Sequence, residues 1–318
     1  PLARKASNPY PSPVSAELKG EQTSKGETSW VRGRFAPSPT GYLHLGHAQT
    51  LLLGWLQVRA LGGQFILRIE DIDTARNRPG AIDAIYRDME WLGFDWDEGP
   101  GCGGPCDSYL QSERTELYNH ALEKLTGRIY LCSCSRKDVR EAAGAPHGGE
   151  ITYPGTCRHG PTRPEAPTSM RVQVPSAQVL WNDLCLGACS EDPSQICGDF
   201  IVRAKDGSHV YQLACVVDDI DMGITHVLRG EDLVSSTSRQ ILLYQWLGAN
   251  IPRFAHTPLR RDELGQRLAK RRDSPSVQDL RLAGKQAGAL IGDLAHDLGI
   301  LSEPAPCSPS DLLEPFAT

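Results

Sequence analysis

Two imidazoles three residues apart, His44 and His47, follow the loop Ala-Pro-Ser-Pro-Thr-Gly-Tyr at residues 36–42. A strand candidate ends before the loop, and a helical pattern begins at Leu45. A helix start offers free N–H groups and the positive end of the dipole. Two histidines there can donate hydrogen bonds to phosphate oxygens, and Gly46 leaves room for a nucleotide against the backbone. The chemistry this arrangement suits is polyphosphate binding. A structural loop carrying two surface histidines fits the same spacing.

A second group is Cys132-Ser133-Cys134, then Tyr153 and Cys157, in a Gly/Pro-rich stretch. Zinc favours soft thiolates in a tetrahedral site. Cys-x-Cys followed by Tyr-x-x-x-Cys is not a common zinc pattern, and a tyrosine must ionise to bind well. His147 and His159 compete for the fourth position. A third group is the basic cluster Arg260, Arg261, Arg267, Lys270, Arg271 and Arg272, which reads as a solvated loop or as a local basic patch on an acidic body.

These residues need elements to position them. Residues 1–29, rich in Ser, Pro, Lys and Glu, read as a disordered tail. Residues 30–35 are a short strand. Leu45, Ala48, Leu52, Trp55 and Leu56 recur at helical spacing until Gly62-Gly63. Residues 65–69 form a strand leading into Glu70, and Pro79 opens a helix through Ile82, Ile85, Tyr86 and Met89. Strand, helix, strand, helix begins a parallel α/β sheet. Residues 115–125 are a helix. Residues 126–198 are richer in Cys, Pro, Gly and polar residues and read as an insertion. Residues 200–203 and 210–217 read as strands, 238–247 as an amphipathic helix, and 281–318 as a short helix with a frayed end.

Composition bounds the class. Hydrophobic residues at 40% and charged residues at 23% are ordinary for a soluble globular protein. No apolar run approaches the ~20 residues that span a bilayer, and residues 1–30 lack the apolar core of a secretory signal. The expectation is a cytoplasmic monomer with no membrane contact. A net charge of −6 argues against bulk electrostatic capture of nucleic acid. Ten cysteines without an export signal are not a disulfide framework, and Cys185, Cys189, Cys197 and Cys215 read as buried small apolar residues.

His44-Leu45-Gly46-His47 resembles the HIGH element of class I aminoacyl-tRNA synthetases, and residues 34–41 resemble its glutamyl and glutaminyl branch. The resemblance continues through residues 68–73, 211–219 and 227–233, and spans roughly residues 31–280. It implies a Rossmann-type, doubly wound parallel sheet at residues 30–125 and 199–280, with ligands at the carboxyl ends of its strands. Residues 126–198 would be a small zinc-containing insertion domain.

The resemblance also implies roles. His44, Gly46, His47 and Lys270 match ATP-binding positions, with His44, His47 and Lys270 acting in catalysis and Mg²⁺ accompanying ATP. Arg34, Phe35, Ala36, Pro37, Ser38, Glu70, Tyr211 and Arg229 match the glutamate site: guanidinium forks for two carboxylates, and Glu70 for the ammonium. Cys215 stands where glutamyl synthetases commonly carry asparagine. Arg267-Leu268-Ala269-Lys270-Arg271 sits where the KMSKS loop belongs, with Arg267 and Ala269 as departures.

Glutamyl-Q tRNA(Asp) synthetases are similar in the Cys/Tyr pattern, with structural zinc on the positions matching Cys132, Cys134, Tyr153 and Cys157, and in position 215. His47 departs from several of them. The chain ends within about fifty residues of Lys270, too few for an anticodon-reading module. The expected activity is ATP-dependent activation of L-glutamate and its transfer to queuosine at the wobble position of tRNA(Asp). Charging of a tRNA 3′ end, and a weakly active RNA- or zinc-binding paralogue, are the alternatives.

Overall fold

The computed structural model describes residues 30–142, 151–258 and 275–317. The expected N-terminal tail, His147 and the basic cluster holding Lys270 lie outside the described residues. Strand β1 (Arg32–Phe35) leads through the Pro/Ser/Gly loop to α1 (Leu45–Ala60), β2 (Gln64–Leu67), α2 (Ala81–Leu92) and α3 (Thr115–Lys124). Next come β3 (Ile129–Cys132), α4 (Arg136–Ala142), β4 (Ser169–Val172), β5 (Val179–Asp183), β6 (Gly187–Glu191) and α5 (Pro193–Ile196). The remainder is β7 (Ile201–Arg203), α6 (Tyr211–Asp221), β8 (His226–Gly230), α7 (Val234–Trp246), β9 (Arg253–Thr257), α8 (Val277–Leu282), α9 (Ala287–Asp297) and α10 (Leu313–Ala317).

The main sheet has the order β2-β1-β8-β9-β5-β6. All neighbours are parallel except the edge strand β6, which turns back antiparallel on β5. Alternate side chains of β2 feed opposite layers: Phe65 and Leu67 join one apolar cluster with α1, α2 and α9, and Ile66 joins the other with α3, α6 and α7. Helix α1 is apolar on nearly every face because it lies inside the first layer, with Leu51, Leu52, Leu53 and Leu56 fully buried. Gly33 in β1 permits that packing, since a Cβ there would collide with Val58. Strand order reverses at β1, flanked by β2 on one side and β8 on the other. The carboxyl ends beside such a switch point form a crevice.

Four sequence readings are corrected. The expected strand at 210–217 is helix α6. Its short apolar run is ambiguous in period, and the two faces resolve it: Leu213, Val216 and Val217 pack inward, while Asp218 and Asp219 find buried arginines. The C-terminal end is not frayed, because Leu312 and Phe316 are buried in the core beside α1. Cys185, Cys189 and Cys197 are only partly buried, leaving Cys215 as the buried member of that set. Finally, residues 126–198 do not form a self-contained unit. The hairpin β5–β6 belongs to the main sheet, and the small antiparallel sheet β3-β4-β7 reaches past residue 198.

Candidate active site

A cavity of about 1020 Å³ opens at the carboxyl ends of β1, β2 and β8. Arg34, Phe35, Ala36, Pro37, Ser38, His44, Gly46, His47, Glu70, Tyr211 and Arg229 all line it. Lys270 lies outside the described residues, but the neighbouring described residue Pro275 lines the same cavity. Ser276 bridges to His44, and Val277 N–H donates to Leu43 O at 2.7 Å. The chain on that side of the basic cluster is therefore anchored at the imidazole pair.

The imidazoles cap α1. His44 Nδ1 accepts from the backbone N–H of Gly46 (3.1 Å) and His47 (3.3 Å), and His47 Nδ1 accepts from His44 N–H (3.4 Å). The rings stack with centroids 3.6 Å apart. A Cβ at Gly46 would stand 3.0 Å from His44 Cε1, so glycine first serves to let that ring fold over the helix start. With both Nδ1 atoms accepting, each neutral ring carries its proton on Nε2, as a donor. Burial lowers His44, with Asp232 opposing, and burial together with His44 lowers His47 to about 3.

Those depressed values carry a stability sign. The fold prefers neutral rings, so this stabilisation is complete above the unfolded value near 6.5 and is lost as pH falls towards 3. Urea unfolding at pH 7 and pH 4.5 is expected to show lower stability in acid. His47→Gln, which keeps a capping acceptor at the third helical position without a titrating ring, should lessen that loss. An equal acid loss in both proteins would contradict the assignment.

Beneath the cavity floor lies a network of buried charges. Arg68, fully buried, donates to Asp219 Oδ1 (2.6 Å) and Glu70 Oε1 (2.9 Å), and its Nε stands 3.7 Å from Asp218. Arg34 Nε meets Asp219 Oδ1 at 3.3 Å, and Arg34 Nη1 donates to Leu228 O. Burial would raise Asp219, but Arg68 and Arg34 hold it below the usual carboxylate value. Burial raises Glu70 despite the same two arginines. Cys215 is not part of the cavity wall. Its thiol, pushed up to about 12 by burial and by Asp219 and Glu70, donates to Asp219 and receives Arg68, each at 3.7 Å. It touches the groups that hold Glu70.

Arg229, at 4% exposure, projects from β8. Its Nη1 donates to Gln240 Oε1 (2.7 Å) and Tyr211 OH (3.3 Å), and Nη2 to Thr237 Oγ1 (2.9 Å). The sequence reading gave no role to Arg68, Asp218, Asp219, Thr237 or Gln240. A charge inside the apolar run 65–69 was the signal for Arg68, and the pair closing the apolar run 213–217 was the signal for Asp218 and Asp219.

A separate cluster gathers the three cysteines. The sulfur atoms of Cys132, Cys134 and Cys157 lie within 4.8 Å of one another and all three residues are buried, a group able to hold a soft cation. Tyr153 OH is 3.3 Å from Cys132 Sγ and 3.8 Å from Cys134 Sγ, and accepts from Cys157 N–H at 2.9 Å. Burial would raise Cys157, yet the backbone N–H of Thr162 and the Tyr153 hydroxyl bring it down to about 6. Arg171 Nε lies 3.3 Å from Cys132 Sγ, and Arg158 clamps the loop to buried Asp199 through bonds of 2.7 and 2.8 Å. His159 is exposed and stands outside the cluster.

The family model for tRNA synthetases class I (E and Q), catalytic domain, matches residues 30–293. The chain belongs to this class I family. The synthetase is 48% identical over 296 residues to a glutamyl-Q tRNA(Asp) synthetase of Symbiobacterium thermophilum, covering 89% of this chain and 91% of the relative. It is also 48% identical over 274 residues to one of Deinococcus radiodurans, covering 84% and 89%. A glutamate–tRNA ligase of an Anaeromyxobacter species is 44% identical over 83% of this chain, but only 57% of that protein is covered. Among solved structures, a glutamate-tRNA synthetase from Elizabethkingia anophelis superposes with a TM-score of 0.78 at 30% identity, covering 90% of this chain and 65% of that one. The synthetase is therefore a ligase with the class I α/β fold. Among its described residues no helix is long and apolar enough to cross a membrane.

Proposed function

We propose that this synthetase activates L-glutamate with ATP and transfers the glutamyl group to queuosine at the wobble position of tRNA(Asp). The observation that carries the activation step is the joining of a paired-imidazole helix start, two arginines and Glu70 in one cavity. Glutamate presents two carboxylates and one ammonium. Arg34 and Arg229 supply guanidinium groups for the carboxylates, and Glu70 supplies an anion for the ammonium. Ser38 and Tyr211 add hydroxyls, and Phe35, Ala36 and Pro37 form the adjoining wall.

One glutamate carboxylate oxygen attacks the α-phosphorus, the bond to the bridging oxygen breaks, and pyrophosphate leaves with that electron pair. Positioning and charge stabilisation dominate such a step. The Nε2–H groups of His44 and His47 donate to phosphate oxygens, and Lys270 follows the charge on the leaving group. ATP is taken as its Mg²⁺ complex, in which the cation neutralises phosphate charge. A nucleoside hydroxyl then attacks the glutamyl carbonyl, and AMP departs. The identities of 48% to glutamyl-Q tRNA(Asp) synthetases, over about nine-tenths of the Symbiobacterium protein, support queuosine as acceptor. The 44% identity to a glutamate–tRNA ligase keeps 3′-end charging as the second reading. Glutamate-dependent ATP–pyrophosphate exchange tests activation. Exchange with glutamate but not aspartate supports it, and absence of exchange with zinc-loaded protein would leave an RNA- or zinc-binding paralogue instead.

The cysteine cluster fits structural zinc. Tetrahedral zinc, with sulfurs at about 2.3 Å, sets ligand atoms roughly 3.8 Å apart. Cys134 Sγ and Cys157 Sγ are 3.5 Å apart, close to that spacing. Burial pushes the Tyr153 phenol up, so a cation must draw off its proton for Tyr153 to complete the set with Cys132, Cys134 and Cys157. Zinc there would staple the Gly/Pro-rich loop. Cys132→Ser is expected to lose most bound zinc and to lower the melting temperature by several degrees, read by metal analysis and calorimetry. Unchanged zinc content would contradict this ligand set.

A further inference from the structure

Behind Arg229 runs a line of buried polar groups that the glutamate reading leaves unused. Asp183 closes β5, and its Oδ1 accepts from the backbone N–H groups of Cys185 (3.0 Å), Leu186 (3.1 Å) and His256 (3.1 Å). Its Oδ2 stands 2.5 Å from His256 Nδ1. On the other side of the ring, His256 Nε2 stands 3.0 Å from Arg229 Nε. The side chains of Asp183 and His256 are both fully buried.

These contacts place the protons. Arginine Nε carries a hydrogen and can only donate, so His256 Nε2 must be the acceptor. The imidazole proton then sits on Nδ1, donated to the Asp183 carboxylate. Thr237 Oγ1, 3.2 Å from the same Nε2, also accepts from Arg229 Nη2. A proton on Nε2 would set N–H against N–H and break the line.

Three strands bring these groups together. Arg229 and His256 are register partners in the parallel pair β8/β9, and Asp183 comes from β5, opposite Phe254. Arg229 Nη1 is held by Gln240, while one Nη2 hydrogen has no acceptor among the described residues. The guanidinium is thus tied to groups outside the cavity lining, with donor capacity left at Nη2 of a residue that lines the cavity. Arginine is long and loses many rotamers when it is fixed, so fixing it beforehand removes that cost from ligand binding.

We propose that Asp183 and His256 are positioning residues for the amino-acid substrate: the carboxylate holds the imidazole in its Nδ1–H tautomer, and the ring's lone pair aims Arg229 at a substrate carboxylate. This rests on the reading of Arg229 as a glutamate-binding group. The test compares wild type, Arg229→Ala, His256→Phe and His256→Gln in glutamate-dependent ATP–pyrophosphate exchange. His256→Phe is expected to raise the glutamate KM about tenfold, with kcat and the ATP KM changed less than about twofold. His256→Gln, whose amide oxygen can accept from Arg229 Nε, should recover most of that loss. A parallel rise in both KM values, or an unchanged glutamate KM in His256→Phe when Arg229→Ala raises it, overturns the proposal. An unchanged glutamate KM in Arg229→Ala would instead overturn the glutamate-site reading. Should the substituted chains fail to fold, ¹⁵N NMR of the wild-type ring decides: a protonated Nδ1 with a bare Nε2 is expected, and the other tautomer or a cationic ring at neutral pH overturns the proposal.

Discussion

Replacing Arg229 with alanine is expected to weaken glutamate binding by about 2–5 kcal/mol while leaving ATP affinity nearly unchanged. The effect is large because the guanidinium is buried and serves several partners at once. Its removal deprives a substrate carboxylate of its cation, and it also leaves Gln240 Oε1 and His256 Nε2 without their donor. Lysine should not restore binding, since one ammonium cannot reach His256, Gln240, Thr237 and a carboxylate together. Glutamate titration calorimetry reads the difference directly, and an unchanged affinity removes Arg229 from the site.

Arg68→Met is expected to cost about 3–5 kcal/mol of folding stability, because it strands buried carboxylates rather than merely losing a contact. Asp219 would retain Arg34 at 3.3 Å and the Tyr244 hydroxyl at 3.1 Å, but lose its 2.6 Å partner. Glu70 would lose the donor to Oε1. Asp218 fares better, since Arg114, Gln111 and Tyr118 still donate to it. Urea unfolding followed by tryptophan fluorescence measures the change. A loss below about 1 kcal/mol would show that these remaining partners suffice without Arg68.

What the sequence disclosed follows from how local each signal was. The loop at 36–42 and the helix start at His44 are contiguous, so their joint geometry was readable before any fold. The cysteine cluster was readable by residue type, and the structure adds the packing of Tyr153 against it and the Arg158–Asp199 clamp. Helix α6 was misread because the five-residue apolar run 213–217 carries no decisive period, and its first turn holds Tyr211 towards the cavity as a strand would. Of the line Asp183–His256–Arg229, only Arg229 had a sequence signal. Its members lie on three strands and meet only through sheet register. Arg68 and the adjacent pair Asp218-Asp219 show in the sequence only as charges beside apolar stretches, and their partnership appears once α6 packs against the end of β2.

The most direct test of the proposed acceptor is transfer of labelled glutamate, with ATP, to three purified tRNAs: tRNA(Asp) carrying queuosine, tRNA(Asp) lacking it, and tRNA(Glu). Stable label is expected on the first alone. Label on tRNA(Glu), with none on tRNA(Asp) carrying queuosine, would contradict it and assign this cavity to charging of a 3′ end.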